Sequence, residues 1–141
     1  MKLTQSTKKK DIRRVWHQVD LKDKILGRIS TRIAFLLLGK AKPYFVPYLD
    51  CGDYVVVVNA SLVRVSGDKP ASKIYTSYSG YPGGLKKKTF SQLLQENPTR
   101  IIKEAVAGML PKNKLRASML KRLYVFSEAD HPYKDKLKIA D

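Results

Sequence analysis

The chain has 141 residues but only one cysteine, two histidines, one tryptophan and 12 acids, against 28 lysines and arginines. Lone Cys51 closes no intrachain disulfide, and a cysteine-based zinc site needs several thiolates or a Cys/His cluster. His17 and His131 are too few to form a metal site alone, so no metal is expected. The single thiol fits a reducing cytoplasm. No apolar run approaches the roughly 18 residues of a membrane span. Apolar stretches such as 34–38 and 54–58 are core-sized. No apolar stretch follows the charges of the N-terminal segment, so no secretory signal is expected. Neither G-x-x-x-x-G-K-[ST] nor G-x-G-x-x-G occurs, which argues against a nucleotide cofactor or small-molecule substrate.

What the chain has is positive charge. A net +16 costs self-repulsion that a polyanion relieves. Membrane binding would call for a basic amphipathic helix with large apolar residues opposite its charges. Here the basic residues run from Lys2 to Lys138 over several predicted elements, so nucleic acid is the expected partner and a membrane is not. A hydrophobic content of 43% is enough for a core, and the length suits one domain.

Residues 1–14 hold Lys2, Lys8, Lys9, Lys10, Arg13 and Arg14 with one acid. They read as a basic N-terminal arm, disordered alone and ordered on a polyanion. Trp16, Val19 and Leu21 mark a first strand. Ile29, Ile33, Leu36 and Leu37 share one face of a helix that starts near Gly27 and ends at Gly39, leaving Arg28, Arg32 and Lys40 off that face. The valines at 55–58 form a run without alternation, as in a strand covered on both faces. Leu62, Val63 and Val65 suggest a short strand before a turn at Ser66-Gly67-Asp68, and residues 73–79 a strand before the loop at 80–84. Helical patterns follow from Thr89, from Asn97-Pro98 with Asn as cap, and from 114 to 122; 123–126 reads as a last strand. Strands separated by helices predict an α/β layer fold over residues 15–126, followed by a polar C-terminal tail at 127–141.

Three motifs carry the functional reading. Gly83-Gly84-Leu85-Lys86-Lys87-Lys88 combines backbone that can approach a phosphate with three charges, although a plain turn before a solvated charge run has the same pattern. Tyr75, Tyr78 and Tyr81 recur beside it, close to Lys73, where they can stack on unpaired bases or simply serve a strand. Residues 109–122 carry Lys112, Lys114, Arg116, Lys121 and Arg122 with no acid, fewer i,i+4 partners than a solubilising helix face normally has. Asp50 and Asp53, flanking Cys51-Gly52, read as turn caps, and no catalytic constellation is found.

Over about residues 11–126 the chain resembles the bacterial-type ribosomal protein L-thirteen family of the large subunit. The resemblance is carried by Trp16 with Val19-Asp20, by the K-I-L-G-R of 24–28 and by Gly39-Lys40. It continues through D-C-G-D-Y-V-V-V-V-N-A at 50–60, V-S-G at 65–67, Gly80, Gly83-Gly84 and Lys86, and V-A-G-M-L-P-K at 106–112. After residue 112 this chain reads N-K-L-R-A where the family reads G-P-L-G-R. The resemblance implies a three-layer α/β/α sandwich around a mainly parallel four-stranded sheet. It further implies a structural constituent of the large ribosomal subunit that binds large-subunit ribosomal RNA early in assembly, beside neighbouring large-subunit proteins. No catalysis, cofactor or homo-oligomer is implied, and the place is cytoplasmic rather than organellar. Expected RNA contacts are Lys8, Lys9, Lys10, Arg13 and Arg14 of the arm; Arg28, Lys40 and Lys42; Lys73, Tyr78, Gly83, Gly84, Lys86, Lys87 and Lys88; and Lys112, Lys114, Arg116, Lys121 and Arg122. The alternatives are a free regulatory RNA-binding protein acting outside the ribosome, and a nucleic-acid-processing enzyme, which would need converging acids where these are scattered.

Overall fold

Four consecutive valines need cover on both faces of their strand, and the fold supplies it. A computed structural model of the chain describes residues 5–67 and 72–140. Lys2 of the arm, Asp68 of the expected turn and Asp141 of the tail lie outside these residues. Among the described residues the strands are β1 (Trp16–Asp20), β2 (Tyr54–Val58), β3 (Ile74–Tyr78), β4 (Leu85–Thr89) and β5 (Leu123–Val125). The helices are α1 (Leu26–Leu38), α2 (Phe90–Glu96), α3 (Pro98–Met109), α4 (Leu115–Lys121) and α5 (Lys134–Ala140).

β2 is the central strand of a parallel sheet ordered β1-β2-β5, with Trp16 opposite Tyr54 and Val57 opposite Val125. Val55 and Val57 turn to the face where α1 and α3 pack, and join Ile29, Ile33, Leu37, Ile101, Ile102 and Val106 in one core. α1 stops where the sequence indicates, at Gly39 with φ 79°. Thr89 caps α2 by accepting from the Gln92 amide at 3.3 Å, while Gln92 Oε1 accepts from the Thr89 amide at 3.1 Å. α3 starts at Pro98 as expected, but Asn97 does not cap it: Oδ1 of Asn97 accepts from the Thr99 hydroxyl at 2.7 Å instead.

The opposite face of the sheet is aromatic. Trp16 stacks on Tyr54 at 4.4 Å between ring centroids and lies 5.7 Å from Tyr124. The polar segment after β5 returns to cover this face, placing Tyr133 5.3 Å from Trp16 and Lys136 Nζ 4.8 Å above the Trp16 ring. Layers of helix, sheet and C-terminal segment follow, in a mixed α/β architecture.

The sheet has three strands among the described residues rather than four. Asn59 takes a left-handed conformation (φ 58°) and turns the chain into a 3-10 turn, Ala60–Leu62. The strand expected at 62–65 is thereby reduced to a single parallel bridge between Arg64 and Ile25. Among the described residues β3 and β4 pair only with each other, as an antiparallel ribbon.

Candidate nucleic-acid interface

The cations expected to meet RNA separate into an enclosed group and an exposed one. The enclosed group gathers where the 39–53 loop passes α1 so closely that side chains are excluded. A Cβ on Gly52 would lie 1.6 Å from the Leu37 carbonyl oxygen, and one on Gly39 2.4 Å from that of Cys51. The approach surrounds the guanidinium of Arg122, only 6% exposed, with acceptors. Its Nη1 donates to the Asp53 carbonyl at 2.8 Å and its Nη2 to the Leu37 carbonyl at 3.3 Å, and Nη2 also pairs with the Asp50 carboxylate. Burial pushes the Arg122 pKa below its ordinary value, with Asp50 opposing the shift.

Lys42 is held in the same knot. Its Nζ lies 2.6 Å from Oδ1 of Asp53 and donates to the Cys51 carbonyl at 2.7 Å. Arg14 donates to the carbonyls of Gly52 at 2.6 Å and Asp50 at 3.0 Å, and so pins the arm. Thr7 adds a bond to the Tyr44 carbonyl at 2.7 Å, so residues 7 and 14 of the arm are both tied to the body. His17 Nε2 is 2.8 Å from Oδ2 of Asp53, and the Val15 amide donates to Oδ1 at 3.1 Å. Burial alone would raise the Asp53 pKa, but the Lys42, Val15 and His17 bonds outweigh it and hold the carboxyl below its ordinary range. Asp50 and Asp53 are therefore anchors of a buried ion network, not turn caps. Arg122, and in large part Arg14 and Lys42, are withdrawn from a surface ligand.

The exposed group is distributed. In the ribbon, Tyr75 faces Lys88 and Tyr78 faces Leu85 across the two strands. Lys86 and Lys87 therefore stand on β4, not in a loop, and have no ion-pair partner among the described residues; Lys88 pairs with Glu96. The two glycines serve the turn. Gly83 has φ 74°, a Cβ on Gly84 would lie 1.8 Å from Ser79 Oγ, and the Gly84 amide donates to the Tyr81 carbonyl at 2.9 Å. Of the three tyrosines, Tyr75 packs against the core while Tyr78 and Tyr81 are exposed.

Lys112, Lys114 and Lys121 are exposed around α4, and Arg116 is half-buried. The start of α4 does not present an open amide at Leu115, because Asn113 Oδ1 accepts from it at 3.0 Å. Lys40 meets Pro111 and Asn113 along a cleft, Lys9 shares another with Tyr48 and Leu115, and Arg28 shares a third with Lys73. Lys8, Lys10 and Arg13 are exposed. Two cations missing from the expected contacts, Lys24 and Arg32, line a depression with Arg28. Their signal was present: Arg28 and Arg32 are four apart at the start of a helix with no acid in its first turn. Nearby Asp23 pairs with Arg64 at 3.6 Å. Among the described residues no cluster of three or more His, Cys, Asp or Glu could hold a metal.

The sequence pattern of one protein family, Ribosomal protein L13, matches residues 14–132. Among curated proteins, the large ribosomal subunit protein uL13 of Petrotoga mobilis is 52% identical over 128 residues, covering 91% of this chain and 85% of that protein. The uL13 protein of Geobacter sp. (strain M21) is 50% identical over 130 residues, 92% of each chain. That of Nautilia profundicola is 47% identical over 138 residues, 98% of this chain and 99% of its own.

Proposed function

This chain belongs to the ribosomal protein L13 family, and from that premise we propose that it is a structural constituent of the large ribosomal subunit that binds large-subunit ribosomal RNA and supports early assembly. The observation that carries the reading is the division of its cations. The fold pairs Arg122, Lys42 and Arg14 with Asp50 and Asp53, while Arg28, Lys40, Lys86, Lys87, Lys112 and Lys114 stand at the surface without ion-pair partners among the described residues. Surface charge of one sign, left unpaired by the protein itself, is completed by a phosphate backbone. A-form RNA hides its base edges in a deep, narrow groove, so most contacts go to phosphates and 2′-hydroxyls. The ribbon and the 111–116 segment offer lysines for this, and Tyr78 and Tyr81 offer rings to unpaired bases. Neighbouring large-subunit proteins are the further partners, and the bacterial cytoplasm is the place of action.

Sedimentation of tagged protein on ribosomes washed in high salt tests this reading. One copy retained per large subunit is the expected result. Complete release into the soluble fraction contradicts it and favours the free regulatory RNA-binder.

A further inference from the structure

Between the start of α1 and the end of α3 lies a cleft of about 530 Å³. Its walls are apolar, and two of them leave large side chains in solvent: Ile25 is 39% and Met109 43% exposed. Val65 and Ala105 line it between them. The Met109 side chain is held across the two helices by the Thr31 hydroxyl, which lies 3.5 Å from its sulfur. Gly108 lines the cleft without a side chain, and a Cβ built there meets nothing within 4 Å, so open space lies beside it.

Arg28 and Lys73 also line it, neither with an ion-pair partner among the described residues, though Lys73 Nζ lies 5.5 Å from the centroid of the Tyr75 ring. The acid beside them, Glu104, is engaged by Arg100 at 2.6 Å and does not neutralise them. Apolar walls alone would suit an aliphatic side chain of a protein as well as a flat ring. Two lining cations without an acid partner call for an apolar group that carries an anion, and a polarisable thioether packs well against an aromatic ring.

We infer that this cleft receives a single unstacked nucleobase of the bound RNA, with the adjoining phosphate held by Arg28 and Lys73. The base lies against Met109 and Ile25, where it is read by shape. The assignment rests on the RNA-binding role proposed above and adds to it a definite nucleotide subsite.

The test uses the full chain, Gly108→Leu and Gly108→Ala, with a large-subunit rRNA transcript carrying 4-thiouridine or 6-thioguanosine. The leucine fills the cleft, and replacing a helical glycine leaves the melting temperature equal or higher. The expected result is about tenfold weaker binding for Gly108→Leu, the scale of one lost base contact, and less than twofold change for Gly108→Ala. Photocrosslinks on the peptides bearing Ile25 or Met109 are expected in the wild type and lost in Gly108→Leu. Undiminished affinity of Gly108→Leu, with crosslinks confined to the ribbon or α4, overturns the subsite and leaves RNA binding standing. Undiminished affinity with failure to enter subunits overturns it in favour of a neighbouring protein's side chain. If the wild type itself does not bind the transcript, the RNA-binding reading falls and the subsite falls with it.

Discussion

The 39–53 loop and the β3–β4 ribbon are both built from glycines and lysines, and they turn them in opposite directions. In the loop, Gly39 and Gly52 let the chain press against α1 until carbonyls and carboxylates close around Lys42 and Arg122. In the ribbon, Gly83 and Gly84 make a tight turn that holds β4 out in solvent, with Lys86 and Lys87 unpaired. Residue type is the same; the difference is the number of acceptors within reach. The loop carries Asp50 and Asp53 and a set of freed carbonyls, whereas residues 80–88 contain no acid at all. A lysine folded back onto acids, as Lys42 is, is a structural part of the fold, and a lysine in an acid-free ribbon is left for a partner.

This comparison predicts unequal consequences of removing charge. The largest effect belongs to Arg122→Ala, which removes the enclosed partner of Asp50 and leaves that carboxylate only the more exposed Arg14, 3.8 Å away. About 3–5 kcal/mol of stability is expected to be lost in urea unfolding, as for other broken buried pairs. A cost under about 1 kcal/mol, the scale of exposed pairs, would place the guanidinium in solvent and erase the distinction.

A smaller effect is expected from acid. The folded-state pKa of Asp53 lies below its ordinary value, so its contribution is present above the carboxylate range and is lost as pH falls through the folded value. Wild-type stability should therefore decline below about pH 4, and less steeply in Asp53→Asn. Asp20 is also shifted down, by the Asn59 side chain and then by the Lys22 amide, but it lies at the exposed edge of β1. Asp20→Asn should flatten the acid limb less than Asp53→Asn does. An equal flattening would mean that enclosure of the knot adds nothing.

Local pattern made much of this fold legible. The valine run located the central strand, apolar spacing located the stripe of α1, and glycine and proline marked helix ends because their backbone restrictions act within one turn. The strand expected at 62–65 was misplaced because the chain turns at Asn59, in a left-handed conformation that Asn tolerates better than most residues, and runs on into the 3-10 turn Ala60–Leu62. The long-range pairings of Arg14, Lys42 and Arg122 were hidden as well. Arg122 meets Asp50 across 72 positions of sequence, and a charge count cannot show that distance closing. The cover of Trp16 by Tyr133 was also missed, since a polar tail with one tyrosine has no periodicity to betray a packed face.

The division between enclosed and exposed cations is tested most directly by the salt dependence of rRNA-transcript binding, compared between the wild type and the double variant Lys86→Ala, Lys87→Ala. Two lost phosphate contacts should reduce the slope of log affinity against log salt by about 1.4–1.8, with the melting temperature unchanged. An unchanged slope would contradict the account, because it would leave the ribbon's lysines without the partner their exposure calls for.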